Sequence, residues 1–352
     1  MKLKAAVVGT GWIAKDYHIP NYKKLDDVDL VAVCDINQER AEKIARQFEV
    51  EHVYTDHRQL LEKRKLDLVD VCTPNHAHRE VSVDALESGA NVICEKPMAM
   101  SVEECESMIA AAKKNGRLLT VGFHFRFMSA MEQLKRMIDD GLVGNIYYSR
   151  GLYLRRSGIP GWGVFHMKEK SGGGPFIDLG VHVVDLLLWL MGNPKPTAVS
   201  ACTFQKFGKR DDVIGTEWPA DWKRAEFNVE DFAGAFIRLD NGAVLTIETS
   251  WASYIEPEDA TTMMLLGDRG GVSASPVKIH TQMSGAHVDI TPQFVPKRDP
   301  YYGEIKHFVD CIKQGRQPRV AAEQALEVQR IADAVYASSA KGCEIKVPRD
   351  AG

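Results

Sequence analysis

Residues 5–14 read AAVVGTGWIA and decide the fold of the first third of the chain. The apolar run 5–8 is typical of a buried parallel strand. The G-x-G-x-x-A pattern that follows comprises Gly9, Thr10, Gly11, Trp12, Ile13 and Ala14 and leads into helix-compatible sequence. In such a turn Gly9 permits the tight bend, and Gly11 lets the backbone approach a pyrophosphate at the helix N-terminus. We predict a dinucleotide site that uses residues 9–13, against the alternative of a strand-to-helix turn without a ligand.

A second apolar run, residues 30–34, ends in Asp35. This aspartate follows Gly11 by 35 − 11 = 24 residues, close to the roughly 20 at which an acid binds the adenosine ribose hydroxyls. A carboxylate there accepts hydrogen bonds from a ribose diol and repels a 2′-phosphate. No arginine follows directly, since Arg40 is more than a helical turn away. The sequence therefore favours NAD over NADP.

Strands and helices continue to alternate as far as residue 122. We predict helices over 38–48 and 78–87, a helix capped by Ser101 with Glu104 at the capping-box position, and strands over 68–72, 91–94 and 118–121. This alternation predicts a doubly wound parallel sheet, in which ligands bind at the carboxyl ends of the strands. Segments 73–78, 95–97 and 122–126 are expected at that edge. His76 and His78 either bond the cofactor or cap and pack the following helix, and the second role is favoured for each.

A different pattern begins at residue 172, where a flexible glycine run and Pro175 precede an amphipathic helix. At helical spacing, Asp178, His182, Asp185 and Trp189 share one stripe. A carboxylate one turn before a histidine can orient and tune the imidazole for proton transfer. The alternative is a polar face on an ordinary core helix.

Beyond residue 122 longer alternating strands predominate, and we read 146–154, 197–205, 232–239 and 244–251 as antiparallel strands. Asn241-Gly242 predicts a hairpin turn between the last two. Helices are expected over 301–314 and 321–340, the last of them docking back on the first domain. Tyr301 and Tyr302 either contact substrate or pack. Because a large half-apolar sheet face does not stay exposed, we expect a homodimer or homotetramer.

The loop over residues 155–165 combines Arg155 with Trp162 among glycines and a proline. A tryptophan suits the apolar face of a sugar ring and a guanidinium suits its hydroxyls, against the alternative of a packed loop with solvated arginines. The acidic and aromatic segment 211–231, which contains Trp218, Trp222, Glu230 and Asp231, receives no assigned role.

The bulk composition of the 352 residues excludes several classes of protein. A formal net charge of −4 gives no basic surface for nucleic acid, and no apolar run approaches the roughly 20 residues that span a bilayer. The N-terminus shows no signal-peptide pattern. The 7 cysteines lack any CxxC or zinc spacing, so we expect reduced thiols, no metal site and a cytoplasmic location.

Four motifs together resemble the Gfo/Idh/MocA oxidoreductases: the pattern at 9–14, Thr73-Pro74-Asn75, Glu95-Lys96-Pro97 and the glycine-rich Asp178/His182 helix. The resemblance covers essentially the whole chain. It implies that Lys96 hydrogen-bonds the reacting oxygen, that His182 is the general acid/base with Asp178 as its partner, and that the peptide before Pro97 is cis. It also implies that Glu95 lies by the nicotinamide ribose.

The strand end at residue 122 departs from the family pattern. Many relatives have Gly-x-Asn-x-Arg, and here the segment is Gly122-Phe123-His124-Phe125-Arg126. His124 in place of asparagine puts substrate contacts at this point in question. The predicted cofactor-binding residues are Gly9, Thr10, Gly11, Trp12, Ile13, Asp35, Thr73, Asn75, His78, Glu95 and Lys96. The predicted substrate-binding residues are Lys96, His124, Arg126, Arg155, Trp162, Asp178 and His182.

The sequence thus predicts an α/β protein with a Rossmann domain over 1–122 and an α+β domain over 123–352 that has an open mixed, mainly antiparallel sheet. The expected activity is NAD-dependent oxidation of a secondary hydroxyl of a sugar, sugar derivative or cyclitol. Two alternatives stay open. One is a redox-neutral enzyme with tightly bound NAD, which epimerises or eliminates through a transient ketone. The other is a non-catalytic nucleotide or sugar sensor.

Overall fold

The computed structural model describes residues 2–216, 218, 223–256, 259–293 and 295–348. The chain divides into two compact units. The first comprises Met1–Phe127 and Arg298–Leu326, and the second comprises Met128–Lys297 and Glu327–Gly352. The first unit therefore contains a late segment of the chain in addition to the N-terminal stretch that the sequence assigns to it.

A six-stranded parallel sheet forms the centre of the first unit, in the order β3-β2-β1-β4-β5-β6. Its strands are β1 (Leu3–Val8), β2 (Val28–Cys34), β3 (His52–Tyr54), β4 (Leu68–Val71), β5 (Asn91–Cys94) and β6 (Leu119–Val121). This order is that of a dinucleotide-binding Rossmann fold, with the strand order reversing between β1 and β4. The predicted doubly wound sheet is confirmed.

The helices of the first unit, numbered along the whole chain, are α1 (Ile19–Tyr22), α2 (Gln38–Phe48), α3 (His57–Lys63), α4 (His78–Glu87), α5 (Val102–Asn115) and α9 (Pro300–Gln314). A π-helical turn covers Ala14–His18, and 3₁₀ turns cover Asn75–Ala77 and His124–Phe127. Ser101 caps α5 as predicted, since its Oγ accepts a hydrogen bond from the Glu104 backbone N–H at 3.3 Å.

Helix α9 packs into the core of the first unit. Its side chains Ile305, Phe308 and Val309 are buried in one cluster with Ile19 and Tyr22. The sequence predicts that the last helix returns to the first domain. The structure places α9 in the first unit, together with the first turn of the last helix, residues 322–326. Helix α9 brings Tyr301 to the edge of the parallel sheet.

The second unit contains a nine-stranded sheet in the order β14-β13-β12-β11-β7-β10-β9-β8-β15. Its strands are β7 (Ile146–Arg155), β8 (Pro196–Phe204), β9 (Phe232–Leu239), β10 (Val244–Ser250), β11 (Asp259–Gly267), β12 (Gly270–Ala274), β13 (Val277–Met283), β14 (Ala286–Ile290) and β15 (Ile345–Lys346). The predicted hairpin joins β9 to β10, with Gly242 at φ +83°. Strands β7 and β10 pair in parallel and not, as the sequence reading has them, antiparallel. The sheet is therefore mixed and mainly antiparallel, which confirms the fold class.

The helices of the second unit are α6 (Ser129–Asp139), α7 (Lys168–Ser171), α8 (Val181–Leu190) and α10 (Ala322–Lys341). The first turn of α10 belongs to the first unit. A π-helical turn covers Phe176–Gly180, and a 3₁₀ turn covers Arg224–Glu226. Helix α8 packs on β7 at Gly151, where a Cβ atom would collide with Val183 and Leu187. By length and composition the helical stretch Lys168–Leu190 could cross a membrane, but 89% of its most apolar window is buried in the protein, as in a core helix.

Candidate active site

The glycine turn after β1 has the shape that a dinucleotide requires. Gly9 has φ +92°, and a Cβ atom there would lie 2.5 Å from the Cys72 carbonyl oxygen. Its N–H donates to the Cys34 carbonyl at 2.8 Å, which closes the turn between neighbouring strands. At Gly11 a Cβ atom would meet no other atom within 4 Å. Gly9 thus permits the close backbone packing, and Gly11 leaves the space in which a pyrophosphate can approach.

Asp35 is buried at the end of β2 and is held toward this turn. Its Oδ2 accepts hydrogen bonds from the Thr10 N–H at 2.8 Å and the Thr10 hydroxyl at 2.9 Å, and its Oδ1 accepts one from the Asn37 N–H at 2.9 Å. Burial opposes ionisation, but the hydrogen bonds from Arg40, Asn37 and Thr10 outweigh it and lower the pKa of Asp35. The predicted ribose-binding acid is therefore a well-ordered carboxylate beside the glycine turn.

Arg40 lies closer to Asp35 than its sequence spacing suggests. Its half-exposed guanidinium donates to both carboxylate oxygens, at 2.6 Å to Oδ1 and 3.0 Å to Oδ2. The side chain reaches back from the first turn of α2, so distance along the chain is a poor guide here. A 2′-substituent at this position would therefore meet a guanidinium as well as the carboxylate of Asp35.

His78 connects the loop after β4 to the loop after β5. It is fully buried, with Nδ1 2.7 Å from the Pro97 carbonyl oxygen and Nε2 2.8 Å from that of Thr73. Burial lowers its pKa. The residue before α4 is Ala77, which makes no side-chain cap, so His78 fixes two loops and does not cap the helix. The Thr73 Oγ1 is buried without a hydrogen-bond partner in the described part of the chain, which suits a polar ligand at this edge.

Glu95 and Lys96 follow β5 at the same edge. Glu95 is buried, and its Oε2 accepts a hydrogen bond from the Lys96 backbone N–H at 3.1 Å. A Cβ atom at residue 122 would lie 2.9 Å from Glu95 Oε1, so glycine there makes room for the carboxylate. The Lys96–Pro97 peptide is cis, as the resemblance implies. His18, which the sequence analysis does not select, hydrogen-bonds to Glu95 at 3.0 Å, and no pattern in the mixed polar and apolar residues around it predicts this contact.

His124 and Arg126, two of the predicted substrate residues, have different surroundings. His124 stacks on Tyr301 with ring centroids 4.2 Å apart, and burial lowers its pKa to about 4. Arg126 is almost fully buried, and its guanidinium donates to the Arg319 carbonyl at 3.2 Å and to Gln324 Oε1 at 2.6 Å. These bonds hold the segment after α9. The guanidinium that the sequence assigns to the substrate is therefore bonded within the first unit, and we do not propose Arg126 as a substrate contact.

In the second unit, Asp178 lies within a π-helical turn and not on a regular α-helix. The Val181 N–H donates to the Phe176 carbonyl, five residues back, so the predicted α-helical spacing between Asp178 and His182 does not apply. The Trp251 indole N–H donates to Asp178 Oδ2 at 2.9 Å. His182 is buried in the first turn of α8.

Glu230 holds the glycine run that precedes this turn. Its carboxylate accepts hydrogen bonds from the Gly174 N–H at 2.9 Å, the Phe176 N–H at 3.3 Å and the Tyr336 hydroxyl at 2.8 Å. Burial raises its pKa. A Cβ atom at Gly173 or Gly174 would collide with Tyr336 or Glu230. The glycine run that the sequence analysis describes as flexible is therefore tightly packed. Glycine is required there because no side chain would fit.

Arg155 and Trp162 lie together with Trp218 on one surface of the second unit. The two indole rings are 5.2 Å apart at an angle of 67°, and the Arg155 guanidinium lies 5.6 Å from the Trp218 ring centre. The Ile159 N–H donates to the Gly215 carbonyl at 2.9 Å and joins the two loops. Both tryptophans are more than a third exposed. Trp222, also in the unassigned segment, lies outside the described residues.

Comparisons with known proteins identify the family and the fold. The Gfo/Idh/MocA family matches in two parts: "Oxidoreductase family, NAD-binding Rossmann fold" over residues 3–123, and "Oxidoreductase family, C-terminal alpha/beta domain" over residues 135–347. D-glucoside 3-dehydrogenase of Escherichia coli is 34% identical over 346 residues, 98% of this chain and 97% of that protein. The scyllo-inositol 2-dehydrogenase (NAD(+)) of Bacillus subtilis is 28% identical, over 91% and 89%. A levoglucosan dehydrogenase structure in complex with NADH and levoglucosan, 23% identical, shares the fold with a TM-score of 0.86 over 99% and 100% of the two chains.

Proposed function

The chain belongs to the Gfo/Idh/MocA oxidoreductase family, and we propose that it is an NAD-dependent dehydrogenase that oxidises a secondary hydroxyl of a sugar, sugar derivative or cyclitol to a ketone. The observation that carries the proposal is the Rossmann unit with its fitted glycine turn and Asp35, combined with 34% identity to a glucoside dehydrogenase over nearly the whole chain. Among the substrate classes, a glycoside has first place because of that relative.

The first unit has residues that fit NAD. Gly11 leaves space for the pyrophosphate, Asp35 and Arg40 lie where the adenosine ribose is expected, and the Thr73 hydroxyl offers a buried polar atom at the same edge. When bound, NAD supplies the acceptor for the hydride that leaves the substrate carbon. The protein contributes binding, orientation and proton transfer.

We assign the proton chemistry to Lys96, His182 and Asp178. Oxidation of the hydroxyl removes a hydride from carbon and a proton from oxygen, and the His182 imidazole takes that proton as general base. The Lys96 ammonium donates a charge-assisted hydrogen bond to the same oxygen and stabilises the negative charge that develops on it. Asp178, fixed by the Trp251 indole, stabilises the imidazolium.

The surface formed by Arg155, Trp162 and Trp218 is proposed to contact the sugar. Exposed indole rings suit the apolar C–H face of a pyranose, and an adjacent guanidinium donates to hydroxyl oxygens. The hydrogen bond from Ile159 to Gly215 keeps the two loops together, which makes the surface a single element.

The first experiment is NAD reduction at 340 nm across glycosides, monosaccharides, anhydrosugars, sugar acids and inositols. We expect turnover with at least one class, and loss of at least about a thousandfold in kcat for Lys96→Ala and His182→Ala with NAD binding retained. The matched control is His287→Ala, an exposed histidine on β14, which should keep wild-type kcat. Near wild-type activity in both site variants would refute the assignment. NAD that survives desalting, with no net reduction, would favour the redox-neutral enzyme, and NAD binding without any turnover would favour the sensor.

We also propose a cytoplasmic homo-oligomer. The face of the nine-stranded sheet opposite α8 carries partly exposed apolar side chains in register: Tyr148, Leu152, Phe236, Met264 and Leu266. A face of this composition is typical of a subunit interface. All 7 cysteines are free thiols, in keeping with a reducing compartment. Light scattering on the purified chain tests the oligomer, and a monomer at micromolar concentration would contradict it.

A further inference from the structure

A buried charge network lies inside the first unit, beneath Lys96. His18 is fully buried, its Nδ1 lies 2.8 Å from Asp70 Oδ2, and its Nε2 lies 3.0 Å from Glu95 Oε1. Asp70 is also fully buried and Glu95 is nearly so. We call Asp70, His18 and Glu95 the His18 triad.

The geometry of the His18 triad favours one charge state. A neutral imidazole carries one N–H and can donate to only one carboxylate, whereas both ring nitrogens of His18 face carboxylate oxygens. The pattern is satisfied when His18 is an imidazolium between two carboxylates. Burial lowers the pKa of His18, but Asp70 and Cys72 outweigh burial and hold it well above the ordinary value. Burial raises the pKa of Glu95, but His18 outweighs it and lowers that pKa.

Each member of the triad is placed by a different element. His18 ends the π-helical turn Ala14–His18, Asp70 lies on β4, and Glu95 follows β5. The second oxygen of Asp70 accepts a hydrogen bond from the Cys72 thiol at 3.3 Å, and the second oxygen of Glu95 accepts the Lys96 N–H at 3.1 Å. A continuous chain of hydrogen bonds therefore connects Cys72, in the interior of the sheet, to the backbone of Lys96.

Such a network is a poor device for stability alone. Desolvating three charged groups costs several kcal/mol per ion, and apolar side chains of similar volume often stabilise a core better. The network ends at Glu95 and Lys96, at the edge where the cofactor is expected. Its position and its cost both favour a role in the reaction.

We propose that His18 and Asp70 are positioning residues of the dehydrogenase, which keep the Glu95 carboxylate ionised and in one orientation beside Lys96. This inference rests on the proposed function. The imidazolium supplies the positive charge that Glu95 needs in a buried position, and Asp70 retains the proton on that imidazole. Neither His18 nor Asp70 contacts substrate in this proposal; both act through Glu95.

The proposal gives a pH dependence with a definite sign. Because the pKa of His18 is raised in the folded protein, the charged triad persists above the ordinary histidine pKa of about 6.5 and is lost only as pH rises through the raised value. The other groups that face the triad are Cys72 directly after β4, Tyr22 on α1, Tyr301 and Glu304 on α9, and Lys96 and His124 at the edge of the sheet.

The decisive variant is Asp70→Asn, which keeps the shape and removes one charge. Loss of a carboxylate at hydrogen-bond distance should lower the pKa of His18 by about 1 to 3 units. We expect the alkaline limb of kcat/KM, and of NADH binding followed by fluorescence, to move to lower pH by at least about one unit. A merely structural role would lower both quantities by the same factor at every pH.

One control and one second variant complete the test. Asp84→Asn removes the carboxylate 2.9 Å from His57, a histidine–aspartate pair near the surface of the same unit, and should leave the pH limb unchanged. The second variant is His18→Gln, and its result is compared with that of Asp70→Asn. His18→Gln should weaken NADH binding at least about tenfold at pH 7, because Glu95 then lacks its cation.

The charge state is read directly by imidazole NMR of the whole chain, with the His18 signal assigned from His18→Gln. We expect the wild-type His18 to remain protonated above pH 6.5 and its pKa to be lower in Asp70→Asn. A wild-type His18 that titrates near 6.5, or an Asp70→Asn chain with unchanged His18 pKa and unchanged pH limbs, would overturn the proposal. If no sugar is oxidised while the NADH-binding limb moves as expected, the dehydrogenase proposal fails and the positioning of Glu95 toward cofactor stands.

Discussion

Substitution by alanine should have different effects at Gly9 and at Gly11: it should lower the stability of the protein at the first and the affinity for NAD at the second. Gly9→Ala places a side chain on a backbone with φ +92°, and its Cβ would lie 2.5 Å from the Cys72 carbonyl oxygen and 2.7 Å from the Thr73 nitrogen. Gly11→Ala places the same methyl group where, apart from the adjoining backbone, no atom of the described residues lies within 4 Å. The pair therefore separates folding from cofactor binding with one methyl group.

The magnitudes follow from these surroundings. A sparsely populated φ costs about 1 to 3 kcal/mol, and a methyl group forced against backbone atoms that cannot rotate away costs about 1 to 3 kcal/mol more. Gly9→Ala should therefore destabilise the first unit by roughly 2 to 6 kcal/mol, which corresponds to a fall in Tm on the order of 10 °C. For Gly11→Ala the smaller entropy of the unfolded chain stabilises by about 0.4 to 1 kcal/mol, so its Tm should be unchanged or slightly raised.

The assay is thermal unfolding of both variants with and without NAD, together with an NAD titration. Gly11→Ala should lose at least about tenfold in NAD affinity, which is 1.4 kcal/mol, because its methyl group enters the space that the pyrophosphate needs. A Gly9→Ala chain as stable as the wild type would refute the packing argument. A Gly11→Ala chain that binds NAD with unchanged affinity would refute the placement of the pyrophosphate.

Three further substitutions test other parts of the site. Arg40→Ala should lower the NADP-to-NAD ratio of kcat/KM by about tenfold, since Asp35 then repels a 2′-phosphate without a nearby guanidinium, and an unchanged ratio would contradict this. Glu230→Gln should lower the Tm, because a carboxamide has one oxygen where the carboxylate has two, and so cannot accept hydrogen bonds from both Gly174 and the other partners. Each such bond contributes about 1.5 to 3 kcal/mol. A Tm within about 1 °C of the wild type would count against this role. His124→Asn should keep the shape of the pH–kcat profile above pH 5, because the pKa of His124 is already lowered to about 4, and a lost limb near neutrality would show that this histidine titrates there.

The sequence allowed the Rossmann unit to be predicted closely because its signals are local. Alternating strands and helices, the Gly9–Gly11 turn and the Ser101 cap each depend on a few neighbouring residues. Helix α2 and helix α4 have the predicted bounds. The fold class, the family and the NAD-binding domain were within reach for the same reason.

What the sequence did not reveal depends on contacts between distant segments. The partners of His18 lie 52 and 77 residues away, and no spacing rule joins them. Arg40 reaches Asp35 through the orientation of its side chain, which a count of residues along a helix misjudges. The glycines before α8 were read as flexible because the residues that crowd them, Glu230 and Tyr336, come much later in the chain.

The two π-helical turns determine how insertions and deletions are tolerated. A π turn holds one residue more than an α-helical turn, and such turns are frequent at functional sites. Deleting one residue within Ala14–His18 or Phe176–Gly180 would restore a regular α-helical turn, and the helix after the turn would keep its orientation because the wide turn absorbs the extra residue. The side chains inside the turn, Asp178 and His18 among them, would instead point in new directions at little cost to the helix itself. In an alignment of relatives, a single gap in either turn would therefore mark a protein in which these side chains are placed differently, even where every named residue is still present.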